Sequence, residues 1–455
     1  MAFKVTAFAL IVAIVYGGIK FNRLFQNAPV PNLDEPYWGP GSPKADSRAV
    51  VPFKIDVDDE VLIDLKNRLA NHRKITQSLE GANQDYGIHS NHLEEILNYW
   101  EKDYKWKERE VILNKFPQFK TEIQGLKIHY IHVKPADKNV KTLPLLILHG
   151  WPGSVKEFHR ILPMLTQKQE GADFAFEVIA ASLPGYGFSQ APSKMGLGAM
   201  EMAVIFKNLM IRLGFDSFYV QGGDWGGVIV THMATLYPRH VRGMHSNMCF
   251  VNTPLSFFKH TAGSFCPSLF MTEKEVEKNY PLSKYFYNLM LEFGYMHLQS
   301  TKPDTLGVGL TDSPAGLAAY ILEKFSTWTN PHWKDLPDAG LNKKYNYDDL
   351  LDNVMIYWVT KTITTSMRLY SESFNILQSQ SGIARAPITV PAACARYQYE
   401  LGIQPEWILK DKYTNLVQLT DYDFGGHFIA FEEPTSLTKD IFTAVMKMEQ
   451  SNSSK

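Results

Sequence analysis

The chain has 455 residues and near-average globular composition, long enough to bury a large core and too long for a minimal single fold. Its 46 basic and 47 acidic side chains leave a net charge of −1, which excludes a nucleic-acid-coating surface or a polyanion partner. Three cysteines, Cys249, Cys266 and Cys394, have no metal-ligand spacing, and so odd and sparse a set fits a reducing compartment better than a disulfide framework.

Residues 5–19 carry no charge and are flanked by Lys4 on one side and Lys20 and Arg23 on the other. As a helix this run is roughly 22 Å long, and flanking lysines extend it towards a membrane span. We expect an N-terminal membrane anchor over 1–23. A cleaved signal peptide is the competing reading, with a poor cleavage site at Val15-Tyr16-Gly17. The basic residues after the run favour a cytosolic body. Residues 24–50, rich in Pro, Asn, Ser and Asp, read as an irregular connector. From 51 to 116 the apolar period is helical, with stripes at Val57, Val61, Leu62, Leu65 and Leu69 and at Leu93, Ile96, Leu97 and Trp100. The stretch 117–133 alternates about Gln124-Gly125 and predicts a hairpin. Buried-strand runs follow at 143–148, 176–181, 218–220, 387–390 and 416–419, most of them separated by helical segments. That rhythm predicts a parallel sheet with helices on both faces. The sheet domain spans 117–254 and 381–455. A helical, aromatic insertion over 255–380 forms a cap between its two parts.

The chemistry lies at the strand ends. "GGDWG" (222–226) has the form Gly-x-nucleophile-x-Gly, in which glycines permit a sharp turn that presents one side chain above the sheet. The central residue is Asp224, and no G-x-S-x-G occurs in the chain. A helix cap is the bland alternative, but capping does not call for glycine on both sides. A carboxylate that attacks an alkyl carbon leaves an ester, which water can cleave; serine would leave a stable ether. Asp224 therefore points to displacement at carbon. "LHGWPGS" (148–154) follows an earlier strand, and the N–H groups of Trp151 and Trp225 are candidates for an oxyanion hole. His149 reads as structural. "FGGHFIAFEEP" (424–434) offers His427 as the base, late in the chain and after a strand. Glu400, past the 387–390 run, is the expected acid partner; Asp421 and Asp423 are its rivals.

Together, "YWGPG", "LHGWPGS", "PGYGFS", "GGDWG", "GYMH", "LAAYILEKFSTWTN" and "GGHFIAFEEP" resemble the microsomal epoxide hydrolases of the α/β-hydrolase superfamily over nearly the whole chain. Within that family the chain is most similar to the insect juvenile hormone epoxide hydrolases. The resemblance implies an α/β-hydrolase fold with a mostly parallel eight-stranded sheet. It also implies that Tyr295 in "GYMH" and Tyr370 in "SMRLY" donate hydrogen bonds to the epoxide oxygen. The implied activity converts an apolar epoxide, with juvenile hormone the expected substrate, to a diol through an Asp224 ester that His427-activated water hydrolyses. A broad-specificity lipid or xenobiotic epoxide hydrolase is the alternative, and a haloalkane dehalogenase a more distant one. No metal or organic cofactor is required. The expected partners are the epoxide and membrane lipid, at the endoplasmic reticulum.

Overall fold

The computed structural model describes residues 16–18, 22–23 and 25–453. The anchor expected over 1–23 lies almost wholly outside the described residues. Among these, no helix is long and apolar enough to cross a membrane.

Nine strands form one sheet. They are β1 (Val50–Phe53), β2 (Gln118–Ile123), β3 (Leu126–Val133), β4 (Lys141–Leu148), β5 (Phe174–Ala181), β6 (Phe218–Gly222), β7 (Val241–Ser246), β8 (Ala392–Arg396) and β9 (Leu416–Asp421). Their spatial order is β1-β2-β3-β5-β4-β6-β7-β8-β9. The pairs β1–β2, β2–β3 and β3–β5 are antiparallel, and every other neighbouring pair is parallel. Along β4, Leu146 and Leu148 join one apolar cluster while Leu145 and Ile147 join the other, so both faces of the sheet are buried. The C-terminal helix Pro434–Ser453 covers the second face through Leu437, Ile441, Phe442 and Val445.

The hairpin forms where the alternation predicts it, and Gln124 and Gly125 both have positive φ (51° and 81°), as a two-residue hairpin turn demands. Three expectations are corrected. The sheet has nine strands, not eight, because Val50–Phe53 adds an antiparallel edge to β2. Three of its four residues are exposed, so the ladder holds it and no hydrophobic period announces it. The run 387–390 contributes only one bridge, Ile388 to Tyr413. The strand there is β8, "AACAR", which is fully buried but built from residues of low β-propensity. Finally, Cys249 and Cys394 form a disulfide, with Cα atoms 5.8 Å apart. Ser246 pairs with Cys394 across β7 and β8, which brings together two cysteines 145 residues apart in sequence. Cys266 is free and exposed.

Between β7 and β8 the chain is helical, from Pro254–Gly263 to Ile376–Gln380. The helices Gly294–Thr301 and Ile363–Ser373 within this stretch carry Tyr295 and Tyr370.

Candidate active site

Leu148 and Gly222 are cross-strand partners, so the loops after β4 and β6 leave the sheet side by side. Asp224 opens the helix Asp224–Leu236 with φ at 48°, a left-handed conformation that costs a non-glycine residue strain. The turn closes only because its neighbours lack side chains. A Cβ on Gly226 would stand 2.0 Å from the Leu148 carbonyl oxygen, and one on Gly222 would stand 2.4 Å from the Gly226 carbonyl carbon. The result is a carboxylate raised above the sheet. Its Oδ1 accepts the Trp151 N–H at 2.8 Å. Its Oδ2 lies 3.5 Å from His427 Nε2.

On its other side, His427 presents Nδ1 to Glu400 Oε1 at 2.6 Å. Glu400 follows β8, and its Oε1 also accepts the Leu401 N–H at 2.8 Å. Neither rival takes this place: Asp421 is bound bidentately to Arg396 at 2.7 and 2.6 Å, and Asp423 is exposed. Burial opposes the charged imidazole of His427, but the Glu400 and Asp224 carboxylates outweigh it and hold the pKa well above the ordinary histidine range. His149 lies apart from this line of groups. Burial lowers its pKa to about 4, and its neutral Nε2 accepts the Leu183 N–H at 3.3 Å.

Aromatic rings roof the carboxylate. Tyr295 stacks on Trp151 at 5.2 Å, and Tyr370 meets Trp225 edge-on at 4.9 Å. The two tyrosine rings are 5.9 Å apart. The Tyr370 hydroxyl is buried without a hydrogen-bond partner. Burial, reinforced by the charge of Asp224, pushes both phenols well above 10, so both remain O–H donors at neutral pH. Trp151, Trp225 and Trp328 therefore link the acid elbow, the imidazole–carboxylate pair and the two phenols through ring contacts.

Residues 50–158 match the family described as epoxide hydrolase N terminus, and residues 144–370 match the alpha/beta hydrolase fold. The chain is 51% identical over 449 residues to juvenile hormone epoxide hydrolase 1 of Ctenocephalides felis, covering 98% of this chain and 97% of that relative. This chain belongs to the epoxide hydrolase family. It is also 46% identical over 426 residues to epoxide hydrolase 1 of Sus scrofa, covering 92% and 94% of the two chains. The crystal structure of juvenile hormone epoxide hydrolase from the silkworm Bombyx mori matches it with a TM-score of 0.90 and 46% identity, covering 92% of this chain and all of that one.

Two acids of this epoxide hydrolase's site escape sequence reasoning. Glu432 accepts the N–H groups of Gly426 and Phe428 at 2.7 and 2.9 Å and so clamps the loop on both sides of His427; burial pushes its carboxyl up to about 8. Its place in "GGHFIAFEEP" was the available signal. Glu157 lies behind the nucleophile in the turn Val155–His159, and no motif marks it. Trp328 was also missed: its carbonyl accepts the His427 N–H at 2.9 Å and its ring packs on both Tyr295 and His427.

Proposed function

We propose that the enzyme opens an apolar epoxide through an Asp224 ester and that its substrate is juvenile hormone, a terpenoid epoxide. The observation that carries the chemistry is the division of labour between the two oxygens of Asp224. Oδ1 is held by the Trp151 N–H, while Oδ2 is left to attack. Tyr295 and Tyr370 donate hydrogen bonds to the ring oxygen as Asp224 Oδ2 displaces it from carbon. His427, oriented by Glu400, then takes a proton from water, and the hydroxide attacks the ester carbon. The Trp151 N–H already sits on the oxygen that becomes the oxyanion, and the Trp225 N–H is its second proposed donor. Alkylation also removes the Asp224 charge, one of the two that keep His427 protonated, so the imidazolium can give up its proton, the one that the ring-opened alkoxide takes, and then act as a base.

Asp224→Ala should abolish turnover. His427→Gln should form the ester and stall there, with the enzyme gaining the mass of the substrate. A His427→Gln enzyme that never gains that mass is incompatible with the two-step scheme. The tyrosine pair argues against halide displacement, which has no use for two phenols facing the nucleophile.

The hormone assignment rests on the 51% identity to the Ctenocephalides felis enzyme. A broad-specificity lipid or xenobiotic hydrolase is the second reading, because the 46% identity to the Sus scrofa enzyme equals that to the Manduca sexta juvenile hormone epoxide hydrolase. Comparing kcat/KM for juvenile hormone and styrene oxide separates the two: a strong hormone preference supports the first, and similar values the second.

For location we propose attachment to the endoplasmic reticulum membrane by the apolar run 5–19, where the basic residues after the run favour a cytosolic body and the Cys249–Cys394 bridge a lumenal one. The exposed Phe257, Phe258 and Phe265 suit a lipid-facing surface near Phe25, which meets Phe258 at 5.9 Å. Glutathione keeps cytosolic thiols reduced, whereas the Cys249–Cys394 bridge needs an oxidising compartment. Titration of the protein as isolated from membranes therefore tests the side: three free thiols support the cytosol, and one places the body in the lumen.

A further inference from the structure

Behind the nucleophile is a cavity of about 20 Å³ whose lining includes Gly150, Trp151, Gly153, Glu157, Asp224 and His427. A water molecule needs about 10–15 Å³, so the space admits one. Three of these residues already have roles in the reaction, through the Asp224 carboxylate, the His427 imidazole and the Trp151 N–H. Glu157 has none. Its side chain folds back over the preceding turn, where a Cβ on Gly153 would stand 1.5 Å from Glu157 Oε1. Glycine at 153 thus leaves the space that the Glu157 carboxyl fills.

Among the described residues no lysine or arginine pairs with this acid. The neighbouring Lys156 is committed elsewhere, with Nζ 2.8 Å from Asp349 and 2.7 Å from Asp352. Burial, then the opposing charge of His427 and the like charge of Asp224, set the Glu157 carboxyl at about 8, so it is mainly protonated at neutral pH. A carboxyl kept neutral in a cavity offers both an acceptor and a donor to a water molecule.

We propose that Glu157 holds the hydrolytic water between His427 Nε2 and the ester carbon of Asp224. The proposal rests on the ester reading of the reaction. The carbonyl oxygen of Glu157 accepts one hydrogen of the water, and the other hydrogen faces His427 Nε2. That second O–H bond breaks, its proton passes to His427, and the water oxygen bonds to Asp224 Cγ. The negative charge collects on Oδ1, against the Trp151 N–H. Collapse breaks the Cγ–Oδ2 bond, so Oδ2 leaves as part of the diol and takes the proton from His427; the water oxygen stays on Asp224, and its remaining proton passes to His427 and restores the resting pair. Glu157 ends the cycle unchanged.

Rapid-quench mass spectrometry on the full-length enzyme with styrene oxide measures ester formation and ester decay separately. Glu157→Leu should leave formation unchanged and slow decay by about 10- to 100-fold, the scale of a misplaced reactant. Glu157→Gln keeps an acceptor and a donor, so it should restore decay to nearly the wild-type rate. Gly153→Ala, which evicts the carboxyl without altering it, should slow decay as Glu157→Leu does. Wild-type decay in Glu157→Leu overturns the assignment. So does equal slowing of both steps in Glu157→Leu and Glu157→Gln, the mark of a purely structural role. Where Glu157→Leu fails to fold, Gly153→Ala decides, and unchanged decay there overturns the proposal. A missing ester in His427→Gln would instead reject the two-step reading, so the two failures are distinguishable.

Discussion

At the scale of single residues, the proposed scheme divides its two steps between groups that titrate in opposite senses. In that scheme the Tyr295 and Tyr370 phenols act only while protonated, and burial holds both well above 10. Ester formation should therefore show no alkaline fall between pH 7 and 10. Tyr295→Phe or Tyr370→Phe should each slow ester formation by about a hundredfold, the usual cost of one lost donor to a developing oxyanion. Ester decay should be unaffected, and an unchanged single-turnover rate would remove that tyrosine from the mechanism. His427 must instead lose its proton, so decay should rise with pH to a plateau. The Glu400 charge raises the imidazole's pKa, and Glu400→Gln removes that charge. The sign follows directly: the rising limb should move to lower pH in Glu400→Gln while the plateau drops, because the imidazolium formed in the step loses its stabilising partner. A limb at wild-type pH would mean that Glu400 does not act on His427 through its charge.

At the scale of elements, the elbow works because β4 and the helix Asp224–Leu236 touch through a glycine. Gly226→Ala would place a methyl carbon 2.0 Å from the Leu148 carbonyl oxygen, a backbone atom that cannot swing away as a side chain would. We expect a loss of at least about 1–3 kcal/mol, the usual cost of overpacking, and loss of ester formation, because Trp151 and Asp224 would be forced apart. Urea unfolding together with single-turnover kinetics checks this; a stable, active Gly226→Ala enzyme would show that the contact is dispensable. The same glycines explain why the elbow was legible in sequence: a backbone needing this much closeness leaves a residue signature. The loops holding Trp151, Asp224 and His427 were legible for a related reason, since each follows a strand run. Glu157 was not, because only tertiary burial distinguishes a glutamate in a short turn from a solvated one. Strand β8 was hidden by its alanines, and β1 by a brief, exposed edge. The cysteine bridge was hidden because the pairing of β7 with β8, which joins residues far apart in sequence, is what brings its two ends together.

At the scale of the whole molecule, one buried carboxylate joins three regions. Asp352 is completely buried on the helix Tyr347–Thr360 of the insertion. Arg109, from the N-terminal helix Trp106–Leu113, reaches its two oxygens at 2.8 and 2.7 Å. Tyr104 donates to it at 2.8 Å, and Lys156, just past β4, approaches to 2.7 Å. The same helix holds the loop that carries Trp151: Asn353 Nδ2 donates to the Pro152 carbonyl and the Tyr357 hydroxyl to the Gly153 carbonyl, both at 2.7 Å. Insertion, N-terminal helices and catalytic loop are therefore positioned by a common set of contacts. Asp352→Ala would remove the buried carboxylate and leave Arg109 and Lys156 to share Asp349, with Arg109 also on Asp348, a loss of about 3 kcal/mol, the lower end for breaking a buried pair. Both reaction steps should slow together in that variant, unlike in any change at Glu157, because the oxyanion donor and the water cavity move with the same loop. Replacing the three groups together with apolar residues of similar size, Asp352→Leu with Arg109→Met and Lys156→Met, should recover most of the lost stability, since Asp349 keeps Arg160 as its partner at 2.7 Å. Equilibrium urea unfolding of the single and triple variants tests the argument. A loss below about 1 kcal/mol in Asp352→Ala, the range of an exposed pair, would show that water reaches the cluster and that the three regions are held together elsewhere.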